Sequence, residues 1–112
     1  MVSNAVHAAA MPPSRQFHRV YRSFDEITFD PGKSDEVFAE RGFDLGYIAG
    51  MFPGHVLERE DTRPYPEPRY PAIGTIALDV FFVVYARTGR RCRLITAWEA
   101  TRYERKLWYD AL

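Results

Sequence analysis

The hydrophobic and polar positions change period several times along the chain, and each change marks an element. Phe17, Tyr21 and Phe24 are spaced by four and then three, as in a short helix, while Glu26–Phe29 reads as a strand. Asp30-Pro31-Gly32-Lys33 is turn chemistry. Ser34 then stands as an N-cap, Asp35 and Glu36 fill the first turn of a helix, Val37 and Phe38 supply its apolar side, and Gly42 ends it. A second short helix is predicted over 44–51, with Asp44 as N-cap and Leu45, Ile48 and Met51 on one face. Residues 55–61 form an exposed strand in this pattern, because Val56 and Leu57 are followed only by charged residues. Four prolines between 62 and 71 predict a loop that no central strand could contain, since each proline deletes a ladder donor.

The strongest β signal comes next. Val80-Phe81-Phe82-Val83-Val84-Tyr85 is β-branched and aromatic throughout, the pattern of a strand covered on both faces. It follows a strand over 72–78 through a hairpin turn at 77–79, and leads through Thr88-Gly89-Arg90 into a third strand over 91–100. Simple alternation puts Cys92, Leu94, Thr96 and Trp98 on one face of that strand and Arg93, Ile95 and Ala97 on the other. Thr101-Arg102-Tyr103-Glu104 has the form of a capping box, and Thr96-x-x-Glu99 repeats that form five residues earlier. The closing helix is predicted to pack Tyr103, Leu107, Trp108 and Ala111 on the sheet, leaving Arg102, Arg105 and Lys106 in water. The fold class is α+β: two short N-terminal helices, an antiparallel sheet of three to four strands, and a C-terminal helix packed on it. Residues 1–16 read as a flexible tail and 17–112 as a single domain.

Composition narrows the class. At 112 residues, 46% hydrophobic and 15% aromatic, the chain suits one modest core and excludes fibrous or wholly disordered architectures. The segment from Met1 lacks the basic and apolar regions of a signal peptide, and Cys92 is the lone cysteine, so a cytoplasmic location is expected, with no membrane span. The formal net charge of zero hides a division: four bases against eight acids over 31–68, then eight bases against four acids over 69–112. Of all the bases only Lys33 and Lys106 are lysines. A guanidinium fork binds phosphate oxygens in pairs, so this polarity points toward a polyanion, set against the plainer alternative of a solvated basic face. His7, His18 and His55 lack metal-ligand spacing and no Gly-rich phosphate loop is present, so neither a metal nor a cofactor is expected. Cys92, alternating with Leu94, reads as buried, and Arg87, Arg90 and Arg91 read as unpartnered surface arginines.

Four words in order carry a family resemblance. They are Phe29-Asp30 with Lys33; Glu67-Pro68-Arg69-Tyr70 running into Ala72-Ile73-Gly74; Val83-Val84-Tyr85; and the stretch from Arg93 to Arg105. In these the chain resembles the BrnT family of bacterial toxins, over about Phe29 to Tyr109. The resemblance implies a RelE-like ribonuclease fold and the toxin of a type II toxin–antitoxin pair. Such a toxin would be a metal-independent RNA endonuclease that inhibits translation, held in check by a BrnA-like antitoxin of ribbon-helix-helix type. DNA would be engaged only through the antitoxin complex, in which a homo-oligomer could form. By the same resemblance Glu67 is the candidate base, Lys33, Arg69 and Arg93 are candidate phosphate clamps, and Arg41, Thr96 and Tyr109 are candidate RNA contacts. For Glu67 a plain salt bridge with Arg69 stands beside the catalytic role, and for Tyr109 a packing role stands beside base stacking. The sequence also departs from the family pattern. Glu40-Arg41-Gly42 replaces a Lys-His-Gly ending, Val37 an Asn, Thr96 a Ser, and Trp98 an Arg. A guanidinium cannot shuttle a proton as an imidazole does, so the alternative is a catalytically degenerate protein that only binds RNA or a protein partner.

Overall fold

The Val80–Tyr85 run lies at the centre of one sheet that gathers every strand among the described residues. A computed structural model describes residues 16–112. In chain order these form β1 (His18–Arg22), β2 (Glu26–Phe29), α1 (Pro31–Arg41), α2 (Leu45–Ile48) with a 3-10 turn at Ala49–Met51, β3 (Gly54–Glu58), β4 (Arg69–Ile76), β5 (Asp79–Thr88), β6 (Arg91–Glu99) and α3 (Arg102–Asp110). The sheet has six strands in the order β1-β3-β4-β5-β6-β2, and it is mixed: β2 runs parallel to β6 while every other neighbour is antiparallel. This corrects the expected antiparallel sheet of three to four strands. The tail expected over 1–16 lies, but for Gln16, outside the described residues.

Local chemistry explains where the elements start and stop. The four-and-three spacing of Phe17, Tyr21 and Phe24 is not a helix. β1 forms instead, and Tyr21 is exposed while Val20 turns to the core. The Asp30-Pro31-Gly32-Lys33 segment is the first turn of α1 itself. The Lys33 amide donates to the Asp30 carboxylate at 2.8 Å, and Pro31 takes the first helical position, where its missing N–H costs nothing. Ser34 is therefore inside the helix, and its buried Oγ accepts from the Leu45 amide at 3.0 Å. Gly42 ends α1 at φ 84°, a left-handed conformation suited to glycine, with its amide donating to the Phe38 carbonyl. Asp44 caps α2 by accepting from the Tyr47 amide at 2.8 Å.

β3 is not an exposed strand. It lies between β1 and β4, with Val56, Leu57 and Glu58 all buried. The proline-rich segment also ends earlier than expected, because β4 begins at Arg69 and carries Pro71 through the sheet interior, opposite Val84. Its carbonyl accepts from the Arg59 amide, just beyond the end of β3, so the missing donor faces the margin of that ladder. Ala77 and Leu78 alone join β4 to β5, and Ala77 takes φ 55°, the positive φ that two-residue hairpins use.

One irregularity sets which side chains share a face. Val84 pairs with Thr96 but Tyr85 pairs with Leu94, so Ile95 is an extra residue in β6, a β-bulge. The bulge breaks the simple alternation. Cys92, Leu94 and Ala97 face the core under α1 and α2, whereas Trp98 stacks on Phe82, ring centroids 4.7 Å apart, on the α3 side. The first core contains Val37, Leu45, Ile48, Val83 and Tyr85; the second contains Leu57, Ile73, Phe82 and Trp108. Gly74, on the α1 side of β4, meets Met51: a Cβ there would stand 2.7 Å from its sulfur, so a larger residue would require the Met51 side chain to shift.

α3 starts at Thr101, not at Thr96. Thr101 Oγ1 accepts from the Glu104 amide at 3.1 Å and Glu104 accepts from the Thr101 amide at 2.9 Å. Trp108 is buried and Leu107 half-buried against the sheet, but Tyr103 and Ala111 are exposed, contrary to the predicted face.

Candidate functional site

On the α3 side the apolar cluster reaches Val84, and the next β5 residue facing that way is Ala86. Ala86 pairs with Arg69 on β4 and Arg93 on β6, and Arg93 with Thr28 on β2, so one row across the sheet reads Arg69, Ala86, Arg93, Thr28. Paired residues point to the same side, which puts two arginines on this face with an alanine between them. The loop before β4 adds the carboxylate: Glu67 is ion-paired with Arg93, and both side chains are close to half exposed. Glu67 does not pair with Arg69, as the salt-bridge alternative supposed. The Arg69 guanidinium lies over the Tyr65 ring at 4.1 Å, its Nε is buried without a partner, and among the described residues no carboxylate pairs with it. A cleft of about 270 Å³ borders this row, lined by Glu67, Arg93, Ala86, Thr28, Arg87 and Arg91 among others.

The bulge at Ile95 brings Thr96 to the same face as Arg93; plain alternation would have separated them. The other candidates are not gathered into this row. Lys33 sits in the first turn of α1, which packs on the opposite face, with Nζ 3.9 Å from Glu36. Arg41 is the last residue of α1 and bonds Glu40 at 3.2 Å. Tyr109 is exposed on α3, which overturns the packing alternative without placing it beside Glu67.

The loop bearing Glu67 is tied at its base. Asp61 and Arg69 form a β-bridge, and the buried Asp61 carboxylate accepts from the Arg63 amide and from Arg63 Nε and NH2, the last at 2.6 Å. Those bonds hold Asp61 down at about 2, against the partial burial that opposes them.

A second charged cluster was missed from sequence. Glu58 is buried on the α1 side, where it accepts from Arg22 Nε at 2.9 Å and NH2 at 2.6 Å, from Arg87 NH2 at 2.9 Å, and from the Tyr85 hydroxyl. Burial pushes the Glu58 carboxyl up, but these donors outweigh it and hold it below its ordinary value. The Tyr85 hydroxyl is pushed well up by burial and by the adjoining Glu58 charge. Arg87 also lies over the Tyr70 ring at 3.9 Å. Arg87, Arg90 and Arg91 are therefore not unpartnered, since Arg90 pairs with Asp25 and Arg91 with Glu26, each at 2.9 Å. The available signal was Glu58 directly after the apolar pair Val56-Leu57, which is the pattern of a strand with a paired acid inside as much as of an exposed one. Cys92 is buried as expected, and burial pushes its thiol up to about 12, so it is no nucleophile.

Among the described residues no three His, Cys, Asp or Glu side chains group to hold a metal ion, and no helix is long and apolar enough to cross a membrane. The family model described as "Ribonuclease toxin, BrnT, of type II toxin-antitoxin system" matches residues 29–104, from the end of β2 to the first turn of α3. The class is thus that of the ribonuclease toxins of type II toxin–antitoxin systems. Within it, this chain belongs to the BrnT family. No curated protein matches the chain.

Proposed function

We propose that the chain is a metal-independent RNA endonuclease whose reacting groups are Glu67, Arg69 and Arg93. The observation that carries this reading is the row on the open sheet face, where Arg69 and Arg93 flank Ala86, Glu67 pairs with Arg93, and Arg69 has no acid of its own among the described residues. Glu67 takes the proton of an RNA 2′-hydroxyl, the 2′-oxygen attacks the adjacent phosphorus, and the bond to the 5′-oxygen breaks. The products are a 2′,3′-cyclic phosphate and a 5′-hydroxyl. Arg69 and Arg93 face the charge that develops on the phosphoryl oxygens, and paired N–H donors suit that task. In the ground state Arg93 is held by Glu67; an incoming phosphate competes for it and frees the carboxylate to act as base.

Neither described imidazole serves this row: His18 turns to the opposite face beside Glu58, and His55, packed edge-on against Tyr21, lies at the far end of β3. Solvent therefore protonates the leaving oxygen. Lys33, Arg41, Thr96 and Tyr109 remain candidate contacts for the flanking strand. A type II toxin has a cognate antitoxin; here we assign it BrnA-like, ribbon-helix-helix chemistry. It would cover the basic row in the cytoplasm and supply the DNA-binding element.

The test is cleavage of a single-stranded RNA by the purified chain in EDTA. Cleavage is expected, with a cyclic phosphate end, and Glu67→Gln and Arg69→Ala should each reduce it at least about a hundredfold with the fold intact by circular dichroism. RNA binding without products at any enzyme concentration would establish the degenerate-binder alternative instead.

A further inference from the structure

The Glu58 cluster opens onto a cleft of its own, about 510 Å³ in volume, next to the β1 edge of the sheet. Four arginines (Arg19, Arg22, Arg59, Arg87) and two glutamates (Glu58, Glu60) line it, a surplus of two positive charges. Arg22 and Arg87 share the single Glu58 charge, so the cleft keeps a net positive field. Each guanidinium offers five N–H donors. Arg22 spends two on Glu58 and Arg87 spends one, leaving N–H groups on side chains about a quarter exposed. The Arg87 Nε is buried with no acceptor. A carboxylate buried among arginines is a costly way to stabilise a core, and an apolar residue would serve as well. What it does achieve is to hold two guanidinium groups in fixed, outward-reaching positions, as a preorganised anion site requires.

The two clefts share a wall. Arg87 lines both this cleft and the one beside Glu67 and Arg93, and it follows Ala86, the centre of the catalytic row. A strand leaving that row around the end of β5 meets Arg87 next. We infer that the Arg22–Glu58–Arg87 cleft is a second phosphodiester subsite, which holds the RNA chain at a nucleotide away from the scissile phosphate. This rests on the RNA reading of the open face, and it adds a path for the strand from one side of the sheet to the other.

The test uses the full chain carrying Glu67→Gln, so that labelled single-stranded RNA stays intact, and reads affinity by fluorescence anisotropy across a salt series. Each phosphate contact on a single strand contributes about 0.7 to the slope of log affinity against log salt. Arg59→Gln leaves the Glu58 cluster untouched, and Arg22→Gln removes one guanidinium while Arg87 and Tyr85 still hold Glu58. Either is expected to lower affinity roughly tenfold and to make the slope shallower by about 0.7, with the melting temperature recorded to show the chain folded. Arg102→Gln, on the outward side of α3, is expected to leave the slope alone. An unchanged slope and affinity in folded Arg59→Gln overturns the subsite, even if inorganic phosphate raises the melting temperature of the parent, since the cleft would then hold free phosphate and not RNA. A parent that binds no RNA overturns the RNA reading itself, and the subsite with it.

Discussion

Arg69 and Arg87 each bury an Nε that finds no acceptor, but their surroundings differ, and that difference separates the two clusters. Arg87 has Glu58, while Arg69 has only the Tyr65 ring, so Arg69 keeps its charge available for a phosphate. At the same scale, Asp61 supplies a pH dependence. Its folded value is lowered from 3.8 to about 2 by Arg63, so its contribution is complete above about pH 4 and is lost as pH falls through 2. Glu58, also lowered, acts with the same sign. Asp61→Asn should lose less stability than the parent between pH 5 and 2 in urea titrations; parallel losses would show that the Arg63 pairing carries none of the acid sensitivity. Ala77 is the residue most at odds with its backbone, because a side chain at φ 55° crowds the adjoining carbonyl. Ala77→Gly should raise stability by about 0.5–1 kcal/mol, measured as a higher urea midpoint. A lower midpoint would mean that flexibility of the unfolded glycine outweighs the strain. Glu67, Arg69 and Arg93 could be picked out as candidates from the chain alone because they stand within ordered family words. Glu58 could not, since nothing local tells a buried acid with partners far along the chain from an exposed one.

Elements were most legible where their ends carry their own chemistry. Asp44, Gly42 and the Thr101–Glu104 box all act at the positions the sequence suggests. Thr101→Ala should cost about 1 kcal/mol in urea denaturation, with cleavage of RNA retained by the folded fraction. A cost near zero would leave α3 held by Trp108 and Leu107 alone. Legibility failed where tertiary pairing overrides a local rule. Pro71 sits within a strand because its absent donor falls at the end of β3. The Ser34 hydroxyl, apparently a cap for its own helix, serves the amide of Leu45 on the next one. The bulge at Ile95 leaves no mark in the residue types of β6, yet it reverses the faces of everything after it.

For the molecule as a whole, the central hairpins were clear and the margins were not. β1 and β2 are short, are recruited from the N-terminal part of the described chain, and close opposite edges of a sheet whose middle comes from the C-terminal half. Pairing over such separations has no local signature. A consequence is a gradient of stability: amide exchange should be slowest in β4, β5 and the Cys92–Ala97 part of β6, and faster in β1 and β2, which each have only one neighbouring strand. Protection of β1 equal to that of β5 would contradict it. The even charge total also acquires a location. The basic half of the sequence is the half that builds β4, β5 and β6, so its arginines fall on both sides of one sheet end, while α1 carries acids on its solvent side.

The bulge in β6 has a consequence for how this gene can change. Because a single uncounted residue between Leu94 and Thr96 decides which side of the sheet each neighbour meets, the spacing is as much a part of the inheritance as the letters. Substitutions at Ile95 leave Arg93 and Trp98 where they are; loss of that codon would turn Arg93 into the core under α1 and α2, or turn Trp98 off Phe82 into that same core. Relatives that keep this architecture should thus vary freely in residue type there but not in length.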